Sequence, residues 1–460
     1  MSLAVKLTSW KQMLMKSDLG RRFASGTMWV FLGTVASKVL TLLAGIILAR
    51  YILDKESYGQ YGMVKSTINM FMIVGSAGMG LMATKYIAEY KSQNKERIPS
   101  IYILTVVFSL VLAVVIGLMV FLLAQVLSVK TLDAPELVPS IKIAALALVF
   151  IIFNYAQEGA LSGFEDFKAK AINGFAMHSI QALAIIGGGY WGVHYLHDGV
   201  FGAVIGFLVA YLLLIFLDQL SIKKNFNKLG LSPTLRSIDR KDISLLFTFT
   251  LPATISSLLA VPGFWMIRTL LKNATGSFED VADYDVADQW RLLVLFIPAM
   301  VSQVALPIMS GIERENKKKF WRVLNVNLGL NISITLAGAL AIALLSGFIL
   351  SFYGEKYTNN IPMIILAIAC VFNAASNLLG VAITSLSHMW QWCGFNILWA
   401  VVMISLTAFF LHLEMGATGV ALAVLFAYIV HALAQYVYLA NPSSAASSCS
   451  KMPIMPVISL

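Results

Sequence analysis

The chain has 460 residues, 59% of them hydrophobic and only 12% charged, with 33 Lys and Arg against 23 Asp and Glu for a formal net charge of +10. Soluble domains carry about 25% charged residues, so this composition excludes a water-soluble globular fold and leaves a polytopic membrane protein. The cysteines Cys370, Cys393 and Cys449 have no paired spacing, which excludes a disulfide framework and a thiolate metal site.

The N-terminal segment, 1–25, carries Lys6, Lys11, Lys16, Arg21 and Arg22 and has no uninterrupted apolar run, so a cleavable signal peptide is not expected. Leu3, Leu7, Trp10 and Leu14 recur at helical spacing, which puts the segment on the cytoplasmic membrane surface. Twelve apolar runs of roughly 20 residues follow, long enough to span hydrocarbon. The first six are 26–49, 60–84, 101–127, 141–161, 172–196 and 199–220. A polar, basic connection at 221–242 precedes 243–271, 289–311, 324–350, 362–386, 390–412 and 416–440. Spanning β-strands would be short and alternating, so the expected fold is all-α with about twelve transmembrane helices. The domains expected are lobes at 26–220 and 243–440, the cytoplasmic linker 221–242, and a Ser/Ala/Pro-rich tail at 441–460 expected to be disordered and cytoplasmic.

Orientation follows from the basic residues. With the N-terminus inside, inside segments hold 23 Lys and Arg and outside segments eight, while Lys38 and Lys65 fall within spans. Positive charge concentrates on the cytoplasmic side, so both termini are expected there. The net +10 is then mostly a topology signal, and no nucleic-acid partner is expected.

The two halves repeat. "GVFGAVIGFLVAY" at 199–211 and "GATGVALAVLFAY" at 416–428 share small residues at matching steps: Gly199, Gly202, Gly206 and Ala210 against Gly416, Gly419, Ala423 and Ala427. Phe153-Asn154 and Phe372-Asn373 match at a similar offset, as do Arg50 and Arg268. Six spans per half is an even number, so the repeat is parallel, about an axis along the membrane normal. Small residues three and four apart let helix backbones approach closely, a structural role.

The stretches "ILARYILDKESYGQYGMVKS", "GMGLMATKYIAEYK" and "VADYDVADQWRLLVLFIPAMVSQVALPIMSGI" resemble the polysaccharide-unit flippases of the multidrug/oligosaccharidyl-lipid/polysaccharide exporter superfamily. The resemblance implies two helical bundles that alternately open a central cavity to each side. It implies a substrate made of an oligosaccharide unit on polyprenyl pyrophosphate, moved from the cytoplasmic to the outer leaflet of a bacterial inner membrane. Membrane lipids, and the polymerase and chain-length regulator of the same pathway, are the partners it suggests. Many relatives carry Asp-Arg in span seven, where this chain has Ile267-Arg268. The multidrug branch often has an acid in span one; Lys38 stands in this span one and argues against sodium-coupled export of cationic drugs. The lipid II branch usually has two further C-terminal spans, so it is the less expected branch.

Ionisable residues inside spans are costly and are functional candidates by default. Lys38 lies near the middle of span one, Lys65 in the outer third of span two, and Arg268 and Arg291 near the outer ends of spans seven and eight. The resemblance places these spans around the cavity, where such cations would attract a pyrophosphate. Snorkelling to lipid headgroups is the competing reading, strongest for the two arginines. Tyr58, Tyr61, Trp265, Tyr284 and Trp290 could contact the sugar, or serve as interfacial belt residues. Pro252, Pro262, Pro298 and Pro307 predict bends, either hinges or static kinks. Glu158 and Asp288 are candidates for coupling to a proton or sodium gradient; Glu158 could instead reach the interface, and Asp288 could pair with Arg291.

A membrane-embedded glycan-processing enzyme is the competing class. It would need a large outside loop or a carboxylate pair for acid–base work. Residues 272–288 read as the longest outside connection, and Glu279, Asp280, Asp283, Asp285 and Asp288 read as a solvated acidic loop. No cofactor, metal or nucleotide motif is read, so the chain is not expected to be an enzyme or an ATP-driven pump. The topology is testable with Asp280→Cys in an otherwise cysteine-free chain: an impermeant maleimide is expected to label it from outside, and labelling only from the cytoplasmic side would overturn the orientation.

Overall fold

A computed structural model describes residues 18–234, 242, 243, 246, 260–310, 317–386 and 388–441. Regular structure among them is helical throughout. Helices α1 (Asp18–Ile47), α2 (Lys55–Gln93), α3 (Ile98–Gln125), α4 (Val138–Gly163), α5 (Phe167–Trp191) and α6 (Gly199–Leu229) coincide with the first six apolar runs. After them come α7 (Ala260–Thr275), α8 (Glu279–Val294), α9 (Phe296–Ser310), α10 (Lys317–Ser351), α11 (Ile361–Ser385), α12 (Met389–His412) and α13 (Gly416–Ala440). Among the described residues eight helices are long and apolar enough to cross a membrane. The number is nine if Lys55–Ser76 and Gly78–Lys91, bent by 42°, count as one span. Of the expected interfacial segment 1–25, residues 18–25 form the start of α1, while residues 1–17, Pro252 and the tail beyond 441 lie outside the described residues.

Aspartates start several helices. Asp54, Asp166 and Asp198 accept hydrogen bonds from the backbone amides of Ser57, Ala169 and Phe201, at 2.9, 3.1 and 2.9 Å. Each satisfies one of the amides a first turn leaves open. Burial alone would raise the Asp54 carboxyl. The Ser57 hydrogen bonds and the Lys356 charge outweigh it and hold the group below its ordinary value.

The chain divides into two compact units, Met1–Ala282 with Phe352–Lys356, and Asp283–Ser351 with Tyr357–Leu460. In the first, α5 packs on α6, α4 on α2, α3 and α6, and α1 on α5. In the second, α13 packs on α11 and α12, and α11 on α10 and α9. The neighbour relations recur between the two units: α4 against α6 corresponds to α11 against α13, and α5 against α6 to α12 against α13.

The small residues of the repeat serve that packing. A Cβ at Gly206 would overlap the carbonyl of Ala184, so α5 and α6 cross backbone to backbone. In the second copy Ala423 and Ala427 are fully buried.

Two expectations are corrected. The acidic stretch after residue 278 is not a solvated loop: it forms α8, in which Asp283, Asp285 and Asp288 are buried at 8%, 8% and 6% exposure. The connection from α7 is only 276–278, because Glu56 at the start of α2 supplies a cap from elsewhere in the chain. Its carboxylate accepts from Ser277 Oγ and from the amides of Phe278 and Glu279 at 3.0, 2.9 and 3.0 Å. An anion at a helix N-terminus also meets the favourable end of the helix dipole. Gly59 sits under this turn, where any Cβ would strike the Phe278 carbonyl oxygen. The expected bend at Pro298 takes the form of a break: α8 ends at Val294, the residue whose carbonyl a proline four positions on cannot serve. Pro262 lies in the first turn of α7, and Pro307 within α9.

Gly206→Val should unpack α5 from α6 and cost about 1–3 kcal/mol, read as a lowered melting temperature of the purified protein. Glu56→Ala should destabilise the α8 start by about 1–2 kcal/mol, with earlier hydrogen exchange at residues 277–280 as its signature. Because the Asp54 carboxyl is held low, its contribution is present above the unfolded value and is lost as pH falls through the folded one. Exchange at the α2 N-terminus should therefore rise below about pH 4, and Asp54→Asn should remove that rise.

Candidate functional site

The first unit brings together residues that are far apart in the chain. Lys38 lies on α1 and Lys65 on α2, both half-buried. Helix α5 packs on α1 and presents His178, whose Nδ1 lies 3.4 Å from Thr41 Oγ1. The imidazole is hydrogen-bonded with Gln181 and lies within electrostatic reach of both Lys38 and Lys65. Two lysines and an imidazole on three helices thus share one neighbourhood. Tyr211 lies within electrostatic reach of Tyr155 and Tyr61 in the same unit, which puts phenol hydroxyls on α2, α4 and α6 near the helices that carry the cations. Such a grouping can attract an anion and hold polyhydroxylated groups by hydrogen bonds and ring faces. His178 was legible as an ionisable residue inside a predicted span, though its formal neutrality hides it from a count of charges.

Helix α7 packs on α2. Trp265 Nε1 donates to Thr67 Oγ1 at 3.0 Å, two residues from Lys65. The indole N–H is therefore engaged with the protein. Arg268 is buried at 8% exposure and donates to the Phe264 carbonyl of its own helix at 3.0 Å. Further along, Lys272 Nζ donates to the Asp133 carbonyl at 2.7 Å.

Arg291 belongs to the second unit and is 4% exposed. Its Nε donates to Asp288 Oδ1 at 2.6 Å, and Cys370 Sγ approaches its carbonyl at 3.6 Å. The pairing expected for Asp288 is thus present, and the Arg291 charge is compensated within its own helix. Both guanidinium groups are buried rather than exposed at the surface. Tyr58 and Tyr284, at 3% and 0% exposure, offer no open face for a sugar in this structure, while Tyr61 and Trp290 are half-buried. Glu158 pairs with Lys170 at 3.7 Å with 40% of its side chain exposed.

The structure also reveals a carboxylate that the sequence reading passed over. Asp218 on α6 is 1% exposed, with Oδ2 accepting from Asn154 and Oδ1 from Asn173, both at 2.8 Å. Gln157 joins Asn154 to Gln219, whose Oε1 accepts from Tyr102 at 3.0 Å. Satisfying both oxygens is what makes a buried carboxylate tolerable. Among the described residues no three His, Cys, Asp or Glu side chains converge to hold a metal ion.

Comparison with known proteins agrees with this architecture. The EPS I polysaccharide export inner membrane protein EpsE of Ralstonia nicotianae (strain ATCC BAA-1114 / GMI1000) is 24% identical over 425 residues, covering 90% of this chain and 92% of its own. Among solved structures, an inward-facing multidrug resistance MATE family transporter of the MOP superfamily superposes with a TM-score of 0.74 at 16% identity, covering 90% of this chain and 96% of its own. The lipid II flippase MurJ in an inward closed conformation gives 0.70 at 18% identity, covering 91% and 89%. These likenesses are of fold. The family described as "Polysaccharide biosynthesis protein" matches residues 23–313, well over half of the chain, and this protein belongs to it: a polytopic membrane transporter of the MOP superfamily.

Proposed function

We propose that this protein moves a large polar lipid-linked substrate across a bacterial inner membrane by alternating access. The substrate we infer is an oligosaccharide on polyprenyl pyrophosphate, carried from the cytoplasmic to the outer leaflet for polysaccharide synthesis. The observation that carries the reading is the convergence of Lys38 and Lys65 around His178 in the first unit. Cations held away from bulk water attract a pyrophosphate more strongly than the same groups on a surface. The polysaccharide-export relative supports the substrate class and the inner-membrane location. In this reading the chain has twelve spans in two parallel lobes, with both termini cytoplasmic, an arrangement supported by the recurring helix neighbours and the basic loops. The polymerase and chain-length regulator of the pathway are the protein partners it would serve.

A second reading, a multidrug exporter or lipid II flippase of the same superfamily, is favoured by the solved structures of highest likeness, which are of those kinds. The substrate chemistry separates them. Lys38 and Lys65 suit an anionic phosphate and repel a cationic drug, and between the two lipid-linked sugars the experiment decides.

Deletion in the native cell should leave complete lipid-linked oligosaccharides on the inner leaflet. Incomplete units would favour an enzyme, and accumulation of lipid II would favour the second reading. Lys38→Ala should reduce surface polysaccharide about tenfold or more at equal membrane insertion, because a partly buried charge is weakly screened. Lys38→Arg should retain part of the activity, since it keeps the charge and alters the geometry. Full activity of Lys38→Ala at normal expression would remove the pyrophosphate site.

A further inference from the structure

The first unit holds a cavity that the substrate reading does not use. Its volume is about 280 Å3, and it lies where the C-terminal ends of α2 and α6 meet the turn between α4 and α5. Its polar lining is Lys91 from α2, Glu165 and Asp166 from the turn, and Asn225 and Lys228 from α6; Phe164 and Leu229 supply the apolar part.

The acidic turn is fixed from several sides. The amides of Glu165 and Asp166 donate to the Ser162 and Leu161 carbonyls, both at 3.0 Å. Glu165 thereby takes a φ of +59°, in the left-handed region that L side chains seldom occupy. From α2, Lys91 Nζ donates to the Phe164 carbonyl at 2.9 Å and to Glu165 Oε2 at 3.1 Å. From α6, Asn225, only 8% exposed, donates to Asp166 Oδ2 at 2.8 Å, while Oδ1 caps α5. Phe164 packs edge-on against Phe226 with ring centroids 5.2 Å apart. Lys228 is exposed and engages no partner among the described residues.

The charges on this lining choose a ligand. Two lysines and two carboxylates sum to zero, so a simple anion such as pyrophosphate would meet two like charges. A ligand that carries a positive and a negative group at separate points finds a partner for each. The existing contacts leave capacity for both. An ammonium has three donors, of which Lys91 uses two in the turn, and each carboxylate oxygen can accept more than one hydrogen bond.

Depth narrows the source. Lys91 and Lys228 stand seven and eight residues beyond the apolar runs that end at 84 and 220. That is about 10–12 Å of helix past the hydrocarbon edge. The headgroup layer is about 5–8 Å thick, and lysine stems reach back toward it. In the proposed orientation this is the cytoplasmic leaflet.

We propose that this cavity binds the headgroup of phosphatidylethanolamine, a phosphate joined by two carbons to a primary ammonium. Lys228 and the remaining Lys91 donor take the phosphate oxygens. Glu165 and Asp166 accept from the ammonium. One lipid then ties the inner ends of α2 and α6 to the turn that opens α5. The site depends on the membrane placement of the chain and not on which substrate is carried.

Hydrogen exchange tests it, with the full chain in nanodiscs of phosphatidylcholine alone or with added phosphatidylethanolamine or phosphatidylglycerol of the same acyl chains. Phosphatidylcholine keeps the charges but has no N–H to donate, and phosphatidylglycerol keeps the phosphate and lacks the amine. Added phosphatidylethanolamine should slow exchange at 162–170 and 225–230 about tenfold, as for a site about nine-tenths occupied. Phosphatidylglycerol should leave it unchanged. Lys228→Gln should weaken the protection, and Glu165→Gln should make phosphatidylethanolamine equivalent to phosphatidylcholine. Equal exchange with and without phosphatidylethanolamine in wild type overturns the site. Equal protection by phosphatidylglycerol overturns the recognition of the amine, and undiminished protection in both variants places the lipid elsewhere. Soluble phosphoethanolamine at millimolar concentration, added to the phosphatidylcholine discs, should give no protection; protection by it overturns the lipid as the source. The wild-type comparison decides even where a variant fails to fold. It involves no transport step, so its failure leaves the substrate reading standing.

Discussion

Hydrocarbon offers no partner to a backbone amide or carbonyl, and every part of this structure answers to that constraint. Each spanning segment must satisfy its own hydrogen bonds, so the chain becomes helices joined by short turns. Between helices, lipid is as apolar as leucine, so burial of apolar side chains gives no drive to pack. Packing must come instead from close fit and from polar contacts. Gly206 against the Ala184 carbonyl is the first kind. Glu56 over the start of α8 is the second, with three hydrogen bonds from one carboxylate.

The same constraint decides where charge can stand. Asp218 is tolerated because two asparagines occupy its two oxygens, and Arg291 because Asp288 lies beside it. These groups are compensated by fixed neighbours from within their own unit. Lys38 and Lys65 share an imidazole as a neighbour, which adds no negative charge when neutral. In the proposed reading, that grouping favours an incoming anion over an incoming cation. Around His431 the pattern is different again, with no carboxylate or fixed cation on α11, α12 or α13.

Much of this was legible in the sequence. Composition and run length announced a polytopic helical membrane protein, because apolar runs of spanning length have few other uses. The matched small residues at 199–211 and 416–428 announced an internal repeat and its packing role, since their three- and four-residue spacing is a property of a single helix. Lys38, Lys65, Arg268 and Arg291 were all visible as ionisable residues in apolar surroundings. The Asp288–Arg291 pair could be anticipated because residues three apart on a helix are neighbours by geometry.

What tertiary structure decided was which of these residues meet. One-dimensional spacing says nothing of contacts made across 100 or 200 positions, and those govern this molecule. Glu56 caps a helix that begins more than 200 residues later, which turned an expected acidic loop into α8 and buried three of its aspartates. His178 stands beside Lys38 and Lys65 only because α5 packs on α1. His431 finds Ser376 because two helices lie side by side with matching levels. The sequence by itself determined that the chain crosses a membrane as helices, for hydrogen bonding and hydrophobicity are local to each segment. Only the tertiary structure decided which side chains the buried charges meet, because pairing is settled by whichever helix happens to pack alongside.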